Sequence, residues 1–115
     1  MKKVFVKTTW IPFESGGRKQ PPEGQTYVAV CRFKDQSLED WKKNAWSLRL
    51  EFLATEETQT ENFSYAFASF LAEAAPHYLL TPNTDFELYE GPNAVAQVQV
   101  LLSEKLIEKL VAHAV

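Results

Sequence analysis

Cysteine is nearly missing from this sequence: Cys31 stands alone among 115 residues, so no internal disulfide can form. A small disulfide-free domain is at home in a reducing compartment, and the expected location is the cytoplasm. Cys31 lies in the apolar run Val28-Ala29-Val30-Cys31, where it is expected as a small buried hydrophobe rather than a reactive thiol. Histidine is scarce too, with His77 and His113 the two examples. A metal site needs three or four converging ligands, so no metal is expected. No apolar run approaches the length of a membrane span. Residues 1–6 begin like an export signal, but Lys7, Thr8 and Thr9 break the apolar run, so no export segment is expected.

Excess positive charge is also lacking. The net charge is −3, and Lys34, Lys42 and Lys43 form the one small basic cluster, read as a solvated face. Phosphate neutralisation needs a basic footprint, which makes RNA the weaker of the partner readings. No stretch of Gly, four residues, Gly, Lys and Ser or Thr is present, so no nucleotide is expected. Neither a nucleophile elbow nor a Cys–His pair can be picked out. Asp85 and Glu87 read as outward-facing strand residues and Glu90 as a turn residue. No catalytic residue and no cofactor are expected, and the chain is read as a non-enzyme.

What is present is bulk. Just under half the chain is hydrophobic, with eight Phe, four Tyr and three Trp. That is enough for one domain over residues 1–115 without metal or disulfide staples. Alternation with period 2 predicts strands over about 3–10, 26–33, 45–53, 63–71, 85–90 and 94–102, with a helix the alternative for the Ala-rich run 63–71. Residues 14–24 hold three of the four glycines and two prolines, and read as a long exposed connection. Ser37, with Asp40 three residues on, is a candidate cap for one helical turn. The acidic stretch 56–62 reads as a solvated hairpin loop, and 72–80 as a turn or short helix interrupted at Pro76. In the tail, Leu106, Ile107, Leu110, Val111 and Ala114 recur at helical spacing after Ser103, which predicts a short C-terminal helix over 103–115. The expected fold is therefore mainly β: a six-stranded antiparallel Greek-key barrel with that helix.

The order of motifs resembles a known domain. An opening strand leads into Gly16-Gly17-Arg18-Lys19-Gln20-Pro21 and then a strand holding Tyr27; near the end comes Phe86-Glu87-Leu88-Tyr89-Glu90-Gly91-Pro92-Asn93-Ala94-Val95-Ala96. This resembles the C-terminal β-barrel domain of elongation factor Tu-like translation factors, here as a stand-alone small protein. The turn departs from that pattern at Pro92-Asn93, where the factor has a second Gly and an Arg, and the chain lacks the factor's nucleotide-binding domain. The resemblance implies the barrel and a docking role, not GTP hydrolysis.

The expected function is a non-catalytic protein-interaction module whose partner is unknown; an RNA-binding accessory protein related to translation is the alternative. Arg18, following Gly16 and Gly17 on the long connection, is expected to anchor an anion or a partner. Trp10 at the entrance to that connection is expected to add apolar contact area.

Overall fold

The computed structural model describes residues 3–57 and 62–101. Six strands close into an antiparallel barrel: β1 (Val4–Trp10), β2 (Thr26–Phe33), β3 (Trp46–Glu57), β4 (Asn62–Phe70), β5 (Asp85–Glu90) and β6 (Asn93–Val100), in the order β1-β4-β3-β2-β5-β6. Strands β2, β3 and β4 are consecutive neighbours, and β1 lies beside β4. The long connection over residues 11–25 is what makes this a Greek key. Closure leaves no open sheet edge along the barrel wall.

The strand boundaries follow the alternation closely, and differ chiefly at the hairpin between β3 and β4. β3 runs to Glu57, so Glu56 and Glu57 belong to a strand rather than to a loop; residues 58–61 lie outside the described part. The helix expected over 103–115 also lies outside it. The short helix α1 (Leu38–Lys43) starts where expected, with the Ser37 hydroxyl accepting from the Asp40 N–H at 3.1 Å.

β4 decides how the interior is filled. Its small residues Ser64, Ala66 and Ala68 point inward, while Phe63, Tyr65 and Phe67 point out. The register explains the choice: Ala68 lies opposite Leu50, and Ala66 opposite Phe52 on one side and Val6 on the other. A narrow six-stranded barrel cannot hold large side chains from every strand, so small and large residues face each other. Leu48, Leu50, Phe70, Phe86 and Leu88 supply the bulk of the core. Cys31, 1% exposed, is buried among them as a small hydrophobe.

Candidate functional site

One end of the barrel is formed by the last residue of β1, the start of β2, the end of β5 and the start of β6. The connection over residues 11–25 passes over that end. It begins with a single 3-10 turn, Phe13–Ser15, stopped by Gly16 at φ 96°. The next residue explains why two glycines are needed. The Gly17 N–H donates to the Pro12 carbonyl at 3.1 Å. A Cβ on Gly17 would fall 1.8 Å from the Ile11 carbonyl oxygen. Gly17 serves a close backbone approach; among the described residues its φ is not in the left-handed region, so the freedom expected of both glycines belongs to Gly16 alone.

The turn delivers Arg18 to the closing hairpin. Its Nη1 lies 2.5 Å from Glu90 Oε2, and its Nε donates to the Gln20 carbonyl at 3.3 Å. The Tyr27 hydroxyl donates to the same Glu90 oxygen, and the Arg18 guanidinium stands 5.6 Å from the Tyr27 ring. Glu90 thus ties three segments together: the connection, β2 and β5. These segments are widely separated in sequence.

The electrostatics match a clamp rather than an acid–base pair. Partial burial alone would raise the Glu90 carboxyl, but the hydrogen bonds from Tyr27 and Arg18 outweigh it and hold the group below its ordinary value. Burial first, and then the bond to Glu90, push the Tyr27 phenol well up. The hydrogen bond to Glu90 raises Arg18 further, against a smaller cost of burial. Near neutral pH the cluster therefore holds one anion, one cation and one neutral phenol, with no proton poised to move.

The structure corrects one sequence-based expectation and gives Arg18 a partner within the chain. Trp10 is 5% exposed and belongs to the core. Its indole packs edge-on to Tyr27 at 5.6 Å and against Phe52 at 6.2 Å, and its Nε1 donates to Ser64 Oγ at 2.9 Å. The even alternation that makes β1 a strand turns Trp10 inward with Val6 and Thr8, so it offers no area to a partner. Arg18 is paired with Glu90, and both side chains stay part-exposed, at 35% and 38%. No local pattern points to that partner, because Glu90 lies 72 residues away in sequence. Sequence reasoning also misses Phe13, which is 57% exposed on the same connection, with the Lys19 ammonium 5.9 Å from its ring. A large aromatic between Pro12 and Glu14, in a segment too polar for a core, was the available signal.

A second surface lies outside the barrel across β1, β6, β5 and β2. A groove of about 440 Å³ is lined by Lys7, Arg32, Lys34, Asp85, Glu87, Gln97 and Gln99, among others. Lys34 reaches Asp85 at 3.3 Å, so its positive charge is partly spent. At the opposite end of the barrel, His77 Nε2 donates to the Glu73 carbonyl at 3.0 Å and the ring packs edge-on to Phe70. Among the described residues no three His, Cys, Asp or Glu side chains come together as metal ligands, and no helix is long and apolar enough to cross a membrane.

Fold and site together define a closed six-stranded antiparallel barrel with one long connection clamped across its end. No family model, curated protein or solved structure matches the chain.

Proposed function

We propose that this barrel is a non-catalytic protein-interaction module, on a frame similar to the C-terminal barrel of elongation factor Tu-like translation factors, and that the connection between β1 and β2 is its contact surface. One observation carries the reading. The connection is held at its middle by Arg18 on Glu90, yet it projects Phe13 into solvent at 57% exposure. An exposed aromatic on a clamped loop contacts a partner with little ordering cost, and aromatic residues dominate interface energetics. Arg18 then acts by holding the loop rather than by touching the partner.

The RNA reading draws on Lys7, Arg32 and Lys34 around the outer groove. Asp85 and Glu87 line the same groove, which would set carboxylates beside phosphates. Protein binding is the better-supported of the two.

The test starts with the full chain immobilised and the retained protein identified, purified and titrated back. Phe13→Ser should weaken that complex about tenfold, roughly 1.4 kcal/mol, with the urea midpoint unchanged. A partner that binds the variant as tightly as the parent would remove the loop from consideration. Saturable, salt-sensitive binding of a uridine oligonucleotide, with no protein retained, would favour RNA instead.

A further inference from the structure

The end of the barrel away from the clamped connection carries a cleft of about 410 Å³. It opens between two other connections, residues 34–45 after β2 and residues 71–84 after β4. Phe33, Trp46 and Tyr78 give it aromatic walls, and Gln36 and Asn44 bring carboxamides. None of its lining residues is charged. The outer groove across β1, β6, β5 and β2 has the opposite character, with lysine, arginine and carboxylates along it.

Both sides of the cleft are already held. On one, the Gln36 N–H donates to the Phe33 carbonyl at 3.1 Å, and the Phe33 N–H donates to Gln36 Oε1 at 3.0 Å. The Phe33 ring is anchored in turn on Phe86, 4.9 Å away. On the other side, the buried residues Ala75 and Leu80 bracket the 3-10 turn His77–Leu79, whose Leu79 N–H donates to the Pro76 carbonyl at 2.9 Å. A site fixed before binding loses less on ordering, and this volume lies in the range of small-molecule pockets.

The polar groups left unpaired in the cleft bring N–H donors. Trp10 and Trp41 spend their indole N–H inside the protein, on Ser64 Oγ at 2.9 Å and on the Cys31 carbonyl at 3.0 Å. Trp46 Nε1 has no acceptor among the described residues. Gln36 Oε1 is engaged by the Phe33 N–H, which leaves Nε2 as the free end of that amide. The Asn44 amide is also without a partner among the described residues. Aromatic walls favour a flat ring, and free N–H groups favour an acceptor on it. An ion would give up its hydration here with no counter-charge to meet it.

We propose that this cleft is a small-molecule site for an uncharged planar ring carrying a carbonyl or ring-nitrogen acceptor. It lies at the far end of the barrel from Phe13 and Arg18, so it is independent of the partner reading.

Coumarin, a planar uncharged lactone, is the probe, titrated into the isotopically labelled full chain and followed by nuclear magnetic resonance. The three indole N–H signals report separately. Trp46 should shift saturably, with a Kd of about 1 mM or tighter, while Trp10 and Trp41 stay in place. A coumarin carboxylate, the same ring with a negative charge, should bind about tenfold more weakly. Trp46→Phe and Asn44→Asp, read from the Gln36 side-chain amide, should each weaken coumarin about fivefold. No saturable shift at Trp46, equal shifts at all three indoles, equal affinity for the carboxylate, or parental affinity in both variants overturns the proposal. Asn44 is exposed, so if Trp46→Phe fails to fold, the parent and Asn44→Asp still decide.

Discussion

Arg18 and Glu90, 72 residues apart in sequence, meet at 2.5 Å across the end of the barrel, with Tyr27 bound to the same carboxylate. The pair joins the long connection to the closing hairpin. Both side chains are more than one-third exposed, so solvent screens much of the attraction.

A double-mutant cycle measures the clamp. Arg18→Ala and Glu90→Gln, singly and together, should give a coupling energy of about 0.5–1 kcal/mol in urea unfolding, smaller at high salt. Additive effects within error would mean the pair contributes no stability in solution.

Stability should respond to pH on both sides of neutrality. Glu90 is held low in the folded state, so its contribution is full above the ordinary carboxylate value of about 4.3 and is lost as pH falls through the folded value. Tyr27 is held high, so its contribution is full below about pH 10 and is lost as pH rises through the folded value. Tyr27→Phe should flatten the alkaline limb and, by removing one donor to Glu90, bring the acid limb in at higher pH. Identical urea midpoints for parent and variant across pH 3–11 would contradict this account.

Two glycines should differ for different reasons. Gly17→Ala places a methyl against the Ile11 carbonyl, a clash that only a backbone shift can relieve, and should destabilise by about 2–4 kcal/mol. Gly91 has φ 58° but open space around it, so Gly91→Ala should cost only the left-handed strain, about 1 kcal/mol. Equal losses would show that the connection yields without resistance at Gly17.

Cys31 should be silent. Burial pushes its thiol up to about 12, and its Sγ donates to the Trp46 carbonyl at 3.2 Å. Ellman's reagent at pH 8 should leave the native chain unlabelled over minutes and titrate one thiol per chain in urea. Rapid labelling without denaturant would place the thiol at the surface.

What the sequence determined by itself is the class of structure and the position of nearly every strand. Period-2 alternation is a local property, and Val4–Trp10, Thr26–Phe33 and Asp85–Glu90 each show it over part of their length. The Ser37 cap is equally local, set by a spacing of three residues. Tertiary structure alone decided which face of each strand turns inward and which distant groups meet. Alternation on β4 is symmetrical between its aromatic and its small residues, and the limited interior volume, already claimed by Leu48, Leu50 and Phe70, sent the aromatics outside. Trp10 had the same ambiguity and went the other way, because β1 turns its even-numbered residues inward and Ser64 offers the indole N–H an acceptor. Arg18 and Glu90 meet only because barrel closure sets β2 beside β5 and Gly17 lets the connection fold tightly onto Ile11 and Pro12, a path no local pattern encodes.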